Sequence, residues 1–276
     1  MSSGKPIVAA AFYPIEDIVR SIDGDAVDIV TLVPPGQEAH EYEPTAKQVG
    51  DLQKATIVFY LGGGFQPDVE KAIASLPDAV RKIDLLKTIQ LLPVTDALAG
   101  TEGAVTGEVL ENGADPHVWL DPANMIVMAT VVAGALGVDA TTYIGDLRRL
   151  DQSFRAGLAQ CRSRVIVTSH RAFEYLAHDY GLTQIPIAGI SPTEEPSAKT
   201  LEAVSTAART NHVSTIYFEQ NLPADLAKTV ADEVGATTAV LDPVESPSSA
   251  QLRAGATYIS LMSEDLAALR SGLGCS

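Results

Sequence analysis

The sequence predicts an α/β protein of two lobes, each with a mostly parallel sheet flanked by helices, joined by one long backbone helix. Short β-branched segments alternate with longer segments of helical period, the pattern of parallel sheets covered by helices. This pattern occurs twice along the 276 residues. Between the two occurrences, the stretch Asp139–Gln160 has apolar side chains at every third or fourth position and no proline, which predicts a single long helix.

The first half of the chain contains four β-rich segments and three segments of helical period. The predicted strands are Ile7–Phe12, Val27–Val33, Ile57–Leu61 and Val80–Ile83. The predicted helices are Ile15–Ile22, Thr45–Lys54 and Asp68–Ala74. The segment Thr95–Ala114 is rich in Gly, Ala, Thr and Glu without any period, and we expect a surface loop there.

The second half repeats the alternation of strands and helices. The predicted strands are Val165–Thr168, Gln184–Ile190, Thr215–Phe218 and Thr238–Leu241. The predicted helices are Ala172–Tyr180, Ala198–Thr210, Ala224–Val234 and Ser249–Arg270. We therefore divide the chain into an N-terminal lobe at 1–138, a linking helix at 139–161 and a C-terminal lobe at 162–276.

Composition excludes several classes of partner. The chain has 35 acidic and 19 basic residues and a formal charge of -16, which argues against nucleic acid and against anionic membrane surfaces. No apolar run is long enough to span a bilayer as a helix, and we expect a monomer. The start, Met1 to Lys5, lacks the apolar segment of a secretory signal, which fits a trimmed exported protein and equally a cytosolic one.

The two cysteines, Cys161 and Cys275, leave the redox compartment open. If they pair, the disulfide attaches the C-terminal helix to the start of the second lobe, as in many exported proteins. Two separate thiols are equally compatible with the sequence.

Four side chains with metal-ligating groups follow predicted strands or rigid turns. His40 follows the second strand through a Pro-Pro-Gly turn, His117 lies in a loop between two prolines, and His170 and Asp242 each follow a strand directly. In parallel sheets, ligands bind beyond the carboxyl ends of the strands. Three imidazoles and a carboxylate form a tetrahedral set suited to zinc.

Each candidate also has a structural interpretation. A histidine in a proline-rich loop is usually just exposed, His170 could cap its helix, and Asp242 could be an ordinary turn acid. His178 and His212 gain no support from their positions and are interpreted as structural. A zinc-dependent hydrolase is the main functional alternative, although the chain lacks the His-Glu-x-x-His arrangement. A metal that merely stabilises the fold of a surface protein is a third possibility.

Four motifs carry a resemblance to a known family. They are His40–Thr45, Asp115–Pro122 with its Asp-Pro-His-x-Trp block, Thr168–His170 and Leu241–Pro243. In this order they resemble the ligand segments of the zinc and manganese solute-binding proteins of ABC importers, the ZnuA and TroA type. The resemblance extends over nearly the whole chain.

The resemblance implies a receptor rather than an enzyme, with two α/β lobes and one metal ion held in the cleft between them by His40, His117, His170 and Asp242. It also implies delivery to the membrane permease of an ABC importer and a periplasmic or extracytoplasmic location, with a lipid anchor left open. Manganese-preferring members commonly have a glutamate at the third position. His170 there favours zinc over manganese, although a manganese receptor stays an alternative.

The sequence departs from the family in one loop and leaves two acids unassigned. Many zinc receptors of this type carry a histidine-rich acidic loop before the second ligand, whereas Thr95–Ala114 contains no histidine. This puts zinc capture by that loop in doubt. Glu43 and Glu219 could each support a ligand or replace one. Trp119 is a candidate packing support for the loop that presents His117.

Overall fold

The computed structural model describes residues 4–94, 110, 113–220 and 223–276. The chain divides into two compact units, each assembled from three segments. The first unit comprises Met1–Gln90, Pro122–Arg149 and Val244–Ile259. The second unit comprises Leu91–Asp121, Leu150–Pro243 and Ser260–Ser276. The division into 1–138, 139–161 and 162–276 stays a prediction.

The first unit is built on a parallel four-stranded sheet of order β2-β1-β3-β4. Its strands are β1 (Ile7–Ala10), β2 (Asp28–Thr31), β3 (Ile57–Tyr60) and β4 (Arg81–Asp84). Its helices are α1 (Tyr13–Asp23), α2 (Ala46–Leu52), α3 (Pro67–Ala74), α4 (Pro122–Leu136) and α9 (Ser249–Arg253). A 3-10 helix, Leu85–Thr88, follows β4.

Two long helices, α5 (Thr141–Gly157) and α10 (Tyr258–Leu273), contribute residues to both units. In the first unit, the buried carboxylate of Asp17 on α1 contacts the first turn of each helix. It accepts a hydrogen bond from the hydroxyl of Tyr143 at 2.8 Å and one from the backbone N–H of Tyr258 at 3.0 Å. Asp17 thereby connects three helices of this unit.

The second unit is built on a parallel four-stranded sheet of order β6-β5-β7-β8. Its strands are β5 (Val165–Thr168), β6 (Thr183–Pro186), β7 (Thr215–Phe218) and β8 (Thr237–Val240). Its helices are α6 (Glu174–Tyr180), α7 (Ala198–Thr210) and α8 (Asp225–Val234), with a 3-10 helix at Val118–Leu120.

A buried apolar cluster joins this second sheet to two of its helices. Val167 and Ile216, from the neighbouring central strands, pack with Val204 of α7 and Val230 of α8, and all four are at most 1% exposed. Burial of this apolar surface is the main favourable term holding the helices on the sheet. Cys161 and Cys275 form a disulfide in the same unit, which resolves the pairing left open by the sequence.

The prediction of two α/β lobes with parallel sheets is confirmed: each predicted strand overlaps an observed one, and α5 lies within the predicted helix Asp139–Gln160. The prediction of one continuous helix over Ser249–Arg270 is wrong. The segment forms α9 and α10 because Gly255 adopts a positive φ of 87°, which ends the first helix.

Of the predicted loop Thr95–Ala114, residues 95–109 and 111–112 lie outside the described residues. Within the described part of the chain, no helix has the length and hydropathy needed to cross a membrane.

Candidate metal centre

Two predicted ligands of the second unit, His117 and His170, lie side by side. Their Nε2 atoms are 3.3 Å apart and their ring centroids 5.2 Å apart. Both residues are fully buried, at 0% exposure. His170 comes two residues after the end of β5, and His117 directly precedes the 3-10 helix Val118–Leu120. The structure thus brings together two histidines that are 53 residues apart in sequence.

Asp115 orients His117. Its Oδ1 atom accepts hydrogen bonds from both the backbone N–H of His117, at 2.8 Å, and the ring Nδ1, at 3.0 Å. Asp115 is itself fully buried, and its carbonyl oxygen accepts a hydrogen bond from the hydroxyl of Tyr175 on α6 at 2.9 Å. The Asp-Pro-His sequence therefore fixes both the backbone and the ring of His117.

Glu219 plays the same part for His170. It directly follows β7, the neighbour of β5, and its Oε1 atom accepts hydrogen bonds from the ring Nδ1 of His170 and from the hydroxyl of Ser169, the latter at 2.6 Å. The backbone is held separately, because the carbonyl of His170 accepts from the amide of Gln184 at 3.0 Å and from the hydroxyl of Thr168 at 2.7 Å. Of the two acids left unassigned by the sequence, Glu219 is buried and holds the ring of His170, whereas Glu43 is exposed.

These two carboxylates select the tautomer of each imidazole. An ionised carboxylate only accepts hydrogen bonds, so Nδ1 of His117 and of His170 must carry a proton. The lone pair of each neutral ring is then on Nε2, and the two Nε2 atoms are the ones that face each other. A hydrogen bond from the second ring nitrogen to a carboxylate is the usual arrangement around histidines that bind metals, and it raises the basicity of the metal-binding nitrogen.

The first unit contains a second buried pair, His40 and Glu245. The Nε2 atom of His40 lies 3.6 Å from Oε1 of Glu245, and the two residues are 1% and 6% exposed. Glu38 accepts a hydrogen bond from the backbone N–H of His40 at 2.8 Å, and the ring of Phe65 packs edge-on against the imidazole at a centroid distance of 4.9 Å. The turn after β2 and the ring of Phe65, which follows β3, therefore hold His40 in place.

Glu245 was missed by sequence reasoning, which chose Asp242 as the carboxylate ligand. His40, His117, His170 and Glu245 are each buried and each offer an atom that could bind a metal ion, and among the described residues this candidate set does not include Asp242. Asp242 is 8% exposed and lies in the second unit. Its role as a ligand stays a prediction. The only sequence signal for Glu245 is an acid three residues beyond Asp242 in a short proline-flanked segment.

The remaining histidines lie elsewhere. His178 is exposed on α6, and His212 is exposed in the turn after α7 with a positive φ of 51°. Their structural interpretation agrees with these positions.

The spacing within the second-unit pair fits tetrahedral zinc. With Zn–N distances of about 2.0–2.1 Å, two ligands of a tetrahedral ion are about 3.3–3.4 Å apart. The separation between the two Nε2 atoms is 3.3 Å. The 3.6 Å separation in the His40–Glu245 pair exceeds that range by a few tenths of an ångström. Imidazoles and a carboxylate are also donors that zinc prefers.

The fold and these histidine–carboxylate pairs define a class: a metal-binding protein made of two α/β units, each built on a parallel sheet. Within that class, the chain belongs to the family described as zinc-uptake complex component A, periplasmic, whose model matches residues 8–272.

Two named relatives are similar in sequence to this chain. It is 35% identical to the zinc-binding lipoprotein AdcA of Streptococcus pneumoniae, over 98% of this chain and 56% of that protein. It is 33% identical to the high-affinity zinc uptake system protein ZnuA of Bacillus subtilis, over 96% of this chain and 87% of that protein. The chain thus spans about half of the length of AdcA and most of the length of the second relative.

A solved structure is similar to this chain in fold, in agreement with its family membership. The Zn(II)-bound ZnuA-like domain of Streptococcus pneumoniae AdcA superposes with a TM-score of 0.80 at 34% identity, covering 98% of this chain and 99% of that domain. The part of AdcA that resembles this chain is therefore a complete structural domain.

Proposed function

We propose that this chain is the zinc receptor of an ABC importer, and that it binds one zinc ion and delivers it to a membrane permease. One observation carries the proposal. Two buried imidazoles, each with Nδ1 bound to a carboxylate, point Nε2 lone pairs at each other with the 3.3 Å spacing of two zinc ligands. Two buried neutral imidazoles repel in that arrangement unless a cation or a proton lies between them.

We further propose that His40 and Glu245 complete the coordination of the same ion. Both are buried and each offers one ligand atom, as His117 and His170 do. Three neutral imidazoles and one carboxylate give a set of net charge -1 for a dication. Asp242, the carboxylate favoured by the sequence, is the competing fourth ligand, and substitution of either acid distinguishes them.

The donor set favours zinc over manganese. Mn²⁺ prefers sites rich in carboxylate and water oxygens, whereas three imidazoles suit zinc. The relatives quoted above are named as zinc proteins, which supports the same choice.

A receptor explains the set better than a hydrolase does. A catalytic zinc has three protein ligands and an open position for water, while four protein ligands close a tetrahedral site. The carboxylates nearest the second-unit histidines, Asp115 and Glu219, already accept hydrogen bonds from Nδ1 atoms, so neither is placed as a general base toward a zinc-bound water.

The location and the partner follow from family membership. We propose an extracytoplasmic protein that meets its permease at the outer face of the cytoplasmic membrane. The family description contains the word periplasmic, and one relative is named a lipoprotein. The disulfide between Cys161 and Cys275 supports an oxidising compartment.

Metal titration tests the proposal. Chelator-stripped protein is titrated with zinc and, separately, with manganese in the presence of a competing chromophoric chelator. We expect one zinc per chain, with manganese bound at least a hundredfold more weakly, a difference of about 2.7 kcal/mol. X-ray absorption of the zinc-loaded protein should give four nitrogen and oxygen neighbours from protein groups. A stoichiometry near zero, or equal affinity for the two metals, contradicts the proposal.

A further inference from the structure

The segment that leads to Glu245 contains a backbone outlier. Val244 has a φ of +57°, in the left-handed region, and is fully buried. A β-branched residue rarely adopts this conformation because its side chain clashes with its own backbone. Such a conformation persists only where the surrounding structure imposes it, and such positions cluster at functional sites.

Two buried side chains of the second unit hold the residues just before Val244. Asp265 on α10 is 3% exposed, and its Oδ1 atom accepts the backbone N–H of Asp242 at 2.8 Å. Trp119 is fully buried, and its Nε1–H donates to the carbonyl oxygen of Pro243 at 2.7 Å. Two consecutive residues are therefore fixed by two side chains from separate parts of the chain.

In the first unit, the residue after Glu245 is fixed as well. The hydroxyl of Ser246 accepts the backbone N–H of Gly36 at 2.9 Å and donates to the carbonyl of Pro34 at 3.0 Å. Val244 and Glu245 are thus the two residues between two hydrogen-bonded anchors. Pro243 adds rigidity, because its ring restricts its own φ.

Trp119 also contacts a metal-ligating side chain directly. Its ring lies 5.2 Å, centroid to centroid, from the imidazole of His117, two residues earlier in the same loop. One side chain therefore packs against one proposed ligand and hydrogen-bonds the segment that leads to another.

We propose that Trp119 and Asp265 are positioning residues of the zinc site, which hold the Asp242–Pro243 segment so that Val244 enters the left-handed conformation and Glu245 is presented to the metal. The inference rests on the proposed zinc-binding function. Neither residue ligates the ion. Without either hydrogen bond, the segment relaxes to an ordinary backbone conformation, and the carboxylate of Glu245 moves away from the position that binding needs.

Four variants test this role. Trp119→Phe keeps an aromatic ring and removes the N–H donor. Asp265→Ala removes the acceptor for the Asp242 amide, whereas Asp265→Asn keeps an acceptor oxygen. Tyr180→Phe is the matched control, because Tyr180 is a buried aromatic residue of the same unit whose hydroxyl donates one hydrogen bond, to Asp151 at 3.0 Å.

Two measurements are made on each variant: zinc affinity by chelator competition, and hydrogen exchange of the Asp242 amide by NMR in the metal-free protein. We expect Trp119→Phe and Asp265→Ala to weaken zinc binding by about tenfold, the lower end of the effect of outer partners on metal ligands. The Asp242 amide should exchange faster in Asp265→Ala. Asp265→Asn and Tyr180→Phe should keep the affinity of the parent protein within about twofold.

Three outcomes overturn the role. The proposed positioning role is wrong if Trp119→Phe or Asp265→Ala binds zinc with an affinity within twofold of that of the parent protein. Equal weakening in Tyr180→Phe attributes the effect to general destabilisation. Faster exchange of the Asp242 amide with unchanged affinity means that the segment is held but does not serve the metal. If the parent protein binds no zinc, the proposed function fails instead, a result separate from these three.

Discussion

The Nδ1 atom of His170 donates a hydrogen bond to Glu219, a carboxylate that belongs to the neighbouring strand end. The two residues are 49 positions apart in sequence and meet because β5 and β7 are adjacent in the sheet. The carboxylate fixes the tautomer of the imidazole and increases the electron density on Nε2. The same chemistry recurs at His117 with Asp115, two residues away in the same loop. The two histidines are therefore held in place both through the order of strands in the sheet and through a local turn.

Replacement of this carboxylate tests its contribution to metal affinity. Glu219→Gln keeps the size of the side chain and removes its charge, so the imidazole of His170 becomes a weaker donor to the metal. We expect zinc affinity to fall by about 10–100-fold. Glu233→Gln is the control, since Glu233 is an acid of the same unit that pairs with Arg209 on the surface. Equal affinities in the two variants would contradict this role of Glu219.

Removal of either proposed ligand of the second unit should lower the zinc affinity more than removal of a surface histidine does. His117→Ala and His170→Ala each delete one imidazole from the proposed set, and we expect zinc affinity to fall at least tenfold, about 1.4 kcal/mol. His178→Ala, at an exposed position of α6, should leave the affinity unchanged. The affinities are measured by chelator competition, with the unfolding temperature of each metal-free variant as a check on folding. Unchanged binding in His117→Ala or His170→Ala excludes that residue as a ligand.

The fourth ligand is decided by a pair of substitutions. The Oε1 atom of Glu245 lies 3.6 Å from Nε2 of His40, whereas the backbone N–H of Asp242 is bound by Asp265 in the second unit. We expect Glu245→Gln to weaken zinc binding by at least tenfold, about 1.4 kcal/mol, and Asp242→Asn to weaken it less. Isothermal calorimetry with a competing chelator gives both values. The reverse order would return the role to Asp242.

Sequence periodicity was sufficient for the sheets and most helices, because buried parallel strands and amphipathic helices leave strong local patterns. All eight observed strands overlap predicted ones, including the short edge strands β4 and β8. The break in Ser249–Arg270 was not predicted. Apolar residues continue on both sides of Gly255, and a single glycine inside a helical pattern is often tolerated.

The carboxylates around the histidines were harder to predict. His117 and His170 follow local motifs, so their sequence neighbourhood identifies them. Glu219 becomes a partner of His170 only through the strand order, and Glu245 has no motif of its own. Asp242, next to a strand end and before a proline, carried a stronger local signal than the acid three residues later. Long-range partners of this kind depend on topology, which local pattern does not specify.

The buried carboxylate of Asp17 should make the stability of the first unit depend on pH. Burial raises the pKa of Asp17 above its ordinary value of 3.8, and Glu16 adds to the effect, while the hydrogen bonds from Tyr258, Tyr143 and Tyr13 oppose it. The folded protein therefore binds this proton more tightly than the unfolded chain does. The resulting stabilisation is complete below the unfolded pKa and is lost as the pH rises through the raised folded pKa.

Asp17→Asn removes this dependence. We expect the free energy of unfolding of the variant to increase relative to that of the parent protein from about pH 4 to about pH 7, because the parent protein loses the stabilisation that comes from protonated Asp17. Asp139→Asn should change in the opposite direction and at lower pH, below about pH 4, since hydrogen bonds from Thr141 lower the pKa of that exposed carboxylate below its ordinary value of 3.8. Urea unfolding of the metal-free proteins from about pH 2 to about pH 7 measures both trends. A difference between Asp17→Asn and the parent protein that does not vary with pH would contradict the assignment.

The disulfide should stabilise the second unit without contributing to metal binding. It joins residues 114 positions apart, and Cys161 precedes the amino end of β5, whereas His170 lies beyond the carboxyl end of that strand. Replacement of both cysteines by serine releases a long closed loop in the unfolded chain, and we expect a loss of about 2–5 kcal/mol in the free energy of unfolding. Zinc affinity should stay within about twofold, because His170 and Glu219 lie beyond the carboxyl ends of β5 and β7, at the opposite end of the sheet from Cys161. Urea unfolding and chelator competition on the same variant measure the two quantities. A large fall in zinc affinity at unchanged stability would mean that the disulfide serves metal binding rather than folding.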